Sequence, residues 1–176
     1  MNIALVPGDD RKKRLEMWME AYADAVLRTC YMMLSDRALA EDALQDTFLK
    51  AWRSMDSFEG RRGASEKTWI LKIAINTCKN YRVSAWNRHV DKAKIIEELP
   101  PSVTGVAEES RDLFLSVMGL EKKLRQVVIL YYYHNLTYKE IGEITNLTAP
   151  AVKKRLDKAM KTLKMQLEGR DEDERK

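Results

Sequence analysis

Between positions 40 and 55 the residues Ala40, Ala43, Leu44, Thr47, Phe48, Ala51, Trp52 and Met55 recur at the spacing of one α-helical face. The opposite face carries Glu41, Asp42, Gln45, Asp46 and Arg53. A stripe of the same period precedes it: Leu15, Trp18, Tyr22, Ala25, Val26, Thr29, Cys30 and Met33. Between the two, Ser35 and Asp36 supply a turn and an N-cap. A third stripe, Trp69, Ile70, Ile73, Ala74, Thr77, Cys78 and Tyr81, follows the polar loop FEGRRGAS (58–65). Only 7 glycines and 4 prolines interrupt 176 residues, which suits helices far better than sheets. The expected fold class is therefore all-α.

Helical periodicity fades over about 88–96, and Pro100–Pro101 followed by SVTGVAEES breaks helix and offers little apolar content. This predicts two small helical modules, 1–96 and 113–168, joined by a flexible linker over 97–112. A charged tail over 169–176 is expected to fray. In the second module helices are expected near 113–118 and 121–133, with Asn135 able to end the latter in the left-handed conformation. Two more helices, about 138–145 and 149–167, complete it. No apolar run approaches the ~20 residues of a membrane span, and residues 1–14 lack the apolar core of a signal peptide. A cytoplasmic protein without stable membrane insertion is the expectation.

Cys30 and Cys78 fall on apolar stripes and form no ligand spacing with His89 and His134, so buried core thiols are expected and no metal. No phosphate-cradling glycine loop and no convincing nucleophile with a base is present, so no catalytic residue, no cofactor and no enzyme are expected. Charge is more informative. Residues 1–60 hold 8 basic and 11 acidic side chains, whereas 61–94 hold 9 basic against 2 acidic. Residues 95–112 are acidic and 121–164 again basic, with 10 basic against 4 acidic. Two basic blocks separated by an acidic spacer suggest two surfaces meeting one polyanion.

The sharpest motif is LTYKEIGEITNLTAPAVKKRLDKAMKTLK, residues 136–164. A helix-turn-helix needs a small residue where its helices approach, and Gly142 supplies it. Asn146 can take the left-handed turn position, and Ile141, Ile144, Leu147, Val152 and Leu156 stand at the anchoring offsets. Thr148 suits the N-cap of the second helix and Pro150 its first turn. Val152, Leu156, Ala159 and Leu163 then form a buried stripe, with Pro150, Lys154, Asp157, Lys158 and Lys161 roughly opposite and Lys153 and Lys164 flanking. Such lysines can hold phosphates or reach purine acceptors in a major groove.

With the preceding LRQVVILYYYHNLTYKEI, this segment closely resembles the promoter-binding C-terminal module of extracytoplasmic-function (ECF) sigma factors. The resemblance is carried by Arg125, the aliphatic run 127–130, Tyr132, Tyr133, Leu136, Thr137, Tyr138, Glu140 and Ile141. Independently, AEDALQDTFLKAW (40–52) resembles the family's polymerase-binding helix. FEGRRGASEKTWILKIAINTCKNY (58–81) resembles its promoter-melting loop and helix. The order and separation are the family's, over about residues 22–163.

The resemblance implies a transcription initiation factor that binds core RNA polymerase and directs it to specific promoters, helping to melt them. The polymerase-facing positions it implies are Asp42, Gln45, Asp46, Phe48, Lys50 and Trp52. For promoter DNA it implies Arg61, Arg62, Ser65, Lys67, Lys72, Asn76, Lys79, Asn80 and Arg82 in the first module. In the helix-turn-helix the corresponding positions are Thr148, Ala149, Pro150, Lys153, Lys154, Lys158 and Lys161. It further implies control by an anti-sigma factor and a monomeric free state. Asn146 in place of the usual turn glycine, Pro150, and the diluted arginine run VSAWNRH depart from the family pattern and allow an altered promoter specificity. Two other readings remain open on the residues alone. A stand-alone helix-turn-helix regulator would explain only the C-terminal half, and a helical adaptor would leave the basic faces incidental.

Overall fold

The computed structural model describes residues 7–58, 65–85 and 108–173, and the side chains of 10–58, 65–81 and 112–168. All regular elements among these residues are helical. The chain divides into two compact units, Met1–Asn87 and Arg88–Lys176. None of the described helices is long and apolar enough to cross a membrane.

In the first unit α1 (Pro7–Leu34), α2 (Arg37–Arg53) and α4 (Glu66–Ala85) pack on one another, and a short α3 (Met55–Phe58) follows α2. Ser35 turns the chain in the left-handed region at φ 56°. Asp36 then caps α2, its Oδ1 accepting from the Leu39 N–H at 3.0 Å. Ala40, Ala43, Ala51 and Ala74 are wholly buried, and their small side chains let the three helices approach closely. Val26, Ile70 and Ile75 fill the space between, each contributing roughly 1.5–3 kcal/mol by burial.

The stripe of α4 is wider than its sequence pattern suggests. Leu71 and Ile75 are buried, whereas Ile73 and Tyr81, expected to face inward, are half-buried. A helix lying against two others closes two adjacent rows of side chains rather than one, and the row selected depends on both crossings.

Cys30 and Cys78 are both fully buried free thiols. They meet across the α1–α4 contact, where a hydrogen bond with Cys78, and then burial, push the Cys30 thiol far above its ordinary range. It therefore stays protonated and inert.

In the second unit α5 (Glu108–Gly119) is followed by α6 (Lys122–Val128), then α7 (Tyr138–Thr145) and α8 (Ala149–Asp173). The α5 helix opens at Glu108, inside the stretch expected as linker, because no proline or glycine interrupts 106–118. Likewise α8 runs to Asp173, into the stretch expected as a charged tail, because the single glycine at 169 does not stop a long helix.

Beyond α6 the helix widens over Ile129–Tyr133. The His134 N–H donates to the Ile129 carbonyl at 3.2 Å, five residues back, and the Leu136 N–H to Leu130. Asn135 ends the segment at φ 55°. Arg125 is 5% exposed, and its Nη2 donates to the Leu120 carbonyl, tying α6 to the turn before it.

Thr137 and Glu140 then form a reciprocal capping box. The Glu140 N–H donates to Thr137 Oγ1 at 3.3 Å and the Thr137 N–H to Glu140 Oε2 at 2.8 Å. Replacing Thr137 by alanine is expected to lower the stability of this unit by about 1 kcal/mol, read by denaturant unfolding. Thr137→Ser should restore most of it.

Candidate functional site

Two surfaces were expected in unit 1, one on α2 and one on α4. On α2, Asp42 and Gln45 are exposed and Asp46 is half-exposed, all on one polar face. Phe48 does not share that exposure. It is 5% exposed and lines a groove of about 770 Å³ between α1 and α2, with Leu15, Met19, Leu44, Leu49 and Trp52. The groove is largely apolar, and Leu49 at its edge is 53% exposed. The α2 face thus offers carboxylates beside an apolar slot, the combination that suits an amphipathic basic helix.

Trp52 is half-buried. The Arg11 guanidinium lies 5.1 Å over its ring, while Arg11 Nη2 donates to the Trp52 carbonyl at 2.9 Å and Nη1 pairs with Asp56 at 2.7 Å. Lys50 points towards α4, its Nζ donating to Thr77 Oγ1 at 3.0 Å. Asp46 is held in the same seam by the Tyr81 hydroxyl at 3.0 Å. Burial first, and then the bond to Asp46 and the charges of Asp46 and Asp42, push the Tyr81 phenol above its ordinary value. It remains a donor at neutral pH.

On α4, Asn76 and Asn80 are exposed and Lys67, Lys72 and Lys79 are half-buried. Lys79 Nζ donates to Asn76 Oδ1 at 3.1 Å, so two of the expected DNA-facing groups are already joined. Ser65 has a structural task that the sequence reading missed. Its Oγ accepts from the Thr68 N–H at 3.1 Å and its carbonyl from Trp69, which caps α4. Arg61 and Arg62 lie outside the described residues, and the Arg82 side chain is likewise undescribed.

Both flanks of the 59–64 segment are anchored on α1. Phe58, Trp18 and Trp69 form a cluster with ring centroids 5.1 to 6.2 Å apart. The Arg14 guanidinium covers Trp18 at 5.0 Å and Phe58 at 5.6 Å and pairs with Glu66 at 3.3 Å. Neither Arg11 nor Arg14 was singled out from the sequence, and only their i,i+3 spacing on one face of α1 hinted at a shared task.

In unit 2 the turn between α7 and α8 has the expected chemistry. Asn146 is left-handed (φ 58°, ψ 48°) and the Leu147 N–H donates to the Gly142 carbonyl at 3.0 Å. A Cβ on Gly142 would lie 2.5 Å from the Leu147 carbonyl oxygen. Thr148 caps α8 through its carbonyl, which accepts from Val152 at 3.0 Å, and through a longer bond from the Ala151 N–H to its Oγ1 at 3.4 Å.

Of the anchors, Ile141, Ile144, Val152 and Leu156 are buried, and Leu147 is half-buried at the tip of the turn. Ala159 and Leu163 continue the buried stripe. Thr148, Pro150, Lys153, Lys154, Lys158 and Lys161 are all exposed, and Ala149 is half-buried. A cationic surface thus begins at the cap of α8 and follows the helix along its solvent side. Asp157, also exposed, sits within it. Among the described residues no group of three or more His, Cys, Asp or Glu side chains is placed to hold a metal.

The comparisons with known proteins fall on these same two units. Residues 18–88 match the family model for Sigma-70 region 2, and residues 111–163 match that for Sigma-70, region 4. The ECF RNA polymerase sigma factor SigW of Bacillus subtilis is 30% identical over 163 residues, covering 85% of this chain and 86% of that protein. The chain belongs to the ECF sigma factors.

This sigma factor is also 25% identical over 173 residues to the ECF RNA polymerase sigma-E factor of Haemophilus influenzae, covering 89% of each. Its fold is shared with RpoE of Bartonella quintana, solved with the anti-sigma factor NepR, at a TM-score of 0.68 and 21% identity. That match covers 89% of this chain and 98% of RpoE. CnrH, solved with the cytosolic domain of CnrY, matches at 0.67 and 17% identity over 90% of each chain. Its function is that of a promoter-specificity factor of RNA polymerase, which sets aside the stand-alone regulator and the adaptor. The family is one of non-catalytic initiation factors.

Proposed function

We propose that unit 1 docks on core RNA polymerase through the polar face of α2, with Asp42, Gln45 and Asp46 meeting basic side chains and the Phe48–Trp52 groove receiving apolar ones. Through α4, Lys67, Lys72, Asn76, Lys79 and Asn80 face the upstream promoter element as it opens, where cations and amides suit phosphates and unstacked bases. Arg61, Arg62 and Arg82 join this surface by family correspondence. Unit 2 reads the more distant element as duplex, with α8 in the major groove. The free protein is a cytoplasmic monomer without enzymatic activity, held in check by an anti-sigma factor, as RpoE and CnrH are captured in their complexes.

The observation that carries this reading is the exposed lysine surface of α8, set directly opposite a buried stripe and fixed by a helix-turn-helix turn. If Lys153, Lys154, Lys158 and Lys161 contact phosphates, each alanine replacement should reduce the slope of log K against log salt by about 0.9 and weaken binding to every sequence alike. A residue that reads a base would instead change sequence preference.

Reconstitution with bacterial core polymerase tests the whole assignment. Saturable binding followed by transcription from a discrete set of genomic fragments is the expected result. Core polymerase that binds the protein but initiates indiscriminately would remove the promoter-reading role of unit 2.

A further inference from the structure

The proposed docking face is not built by α2 alone. Tyr81, on α4, donates its hydroxyl to Asp46 Oδ2 at 3.0 Å across 35 positions of sequence, and Lys50 lies 4.0 Å from the same oxygen. Lys50 is itself anchored to Thr77 of α4. Asp46 is therefore a half-exposed carboxylate with one oxygen tethered from behind. An untethered surface aspartate samples several rotamers, and binding must select one of them. A neutral phenol donor selects the rotamer in advance without adding a counter-charge of its own.

We propose that Tyr81 is a positioning residue for polymerase docking, its hydroxyl holding the Asp46 carboxylate in the orientation that meets a basic partner side chain. The inference rests on the α2 docking face proposed above. Tyr81 occupies the turn of α4 that carries Asn80, so the same helix that faces promoter DNA also sets the geometry of the polymerase face.

A double-mutant cycle on the full-length chain tests this, using Tyr81→Phe, Asp46→Asn and the pair, with core polymerase affinity and thermal melting measured for each. Phenylalanine keeps the ring and removes only the donor. Tyr81→Phe is expected to weaken binding roughly three- to ten-fold, the cost of immobilising one freed interface side chain on binding. In the Asp46→Asn background the same change should cost nothing further, and the melting shifts of the same variants show how much of each loss is lost stability. Comparison within the cycle cancels any shared loss of stability. Wild-type affinity for Tyr81→Phe beside a weakened Asp46→Asn would overturn the role of Tyr81 and leave the docking face standing. Equal losses in both backgrounds would also overturn it, since Tyr81 would then act apart from Asp46. Wild-type affinity for Asp46→Asn would remove the docking face and this inference together.

Discussion

Replacing Gly142 by alanine is expected to lower the stability of the C-terminal unit by about 3 kcal/mol, the cost of an overpacked site with no flexible neighbour to yield. The added Cβ would lie 2.5 Å from the Leu147 carbonyl oxygen, a backbone atom inside the turn, so relief must come from the turn itself. That turn is already fixed by left-handed Asn146 and by the bond from the Leu147 N–H to Gly142. For a unit of this size the unfolding midpoint should fall by roughly 15 °C. Gly119→Ala is the control, because nothing lies within 4 Å of its Cβ position, and it should be neutral or slightly stabilising. Function should separate in the same way. Gly142→Ala should lose promoter selectivity, because α8 is carried off its angle, while core polymerase affinity through the first unit is retained. A midpoint unchanged by Gly142→Ala would show that the α7–α8 turn has room the geometry denies.

Reversing both Asp42 and Asp46 to lysine should reduce affinity for core polymerase by about 100-fold or more, since attraction becomes like-charge repulsion at the same surface. Both side chains reach solvent and neither belongs to the apolar core, so melting should shift little. At position 46 a lysine would also lose the Tyr81 tether and stand beside Lys50, a clash worth only a few tenths of a kcal/mol on a helix surface. The loss should shrink as salt is raised, whereas a loss caused by misfolding would persist. Unchanged affinity at low salt would place the polymerase contact elsewhere on the unit, the apolar α1–α2 groove being the next surface to test.

What could be read in advance was whatever neighbouring residues decide among themselves. Helical period, the Asp36 cap, the left-handed residues Asn135 and Asn146 and the close approach at Gly142 depend on residues within about five positions of one another. The lysine surface of α8 is legible for the same reason, because one buried stripe fixes the opposite face. The Thr137–Glu140 capping box was equally local and could have been read from its T-x-x-E spacing. Family resemblance supplied the roles of the two units, which periodicity could not.

Tertiary packing decided the pairings between helices. Tyr81 meets Asp46 across 35 positions, Lys50 meets Thr77 across 27, and Arg14 meets Glu66 across 52. Which rows of α1, α2 and α4 face one another depends on their crossing angles and on the alanines that let them close, and no local pattern encodes that. The same packing left Ile73 half-exposed and brought Cys30 against Cys78. The sequence by itself therefore determined the helices, their caps and the turn of the DNA-reading motif, because hydrogen bonding and sterics over a few residues are sufficient for those. Only the tertiary structure decided which polar side chains lean on which, and so how the face of α2 is held, because those contacts exist only once three helices have buried their apolar rows together.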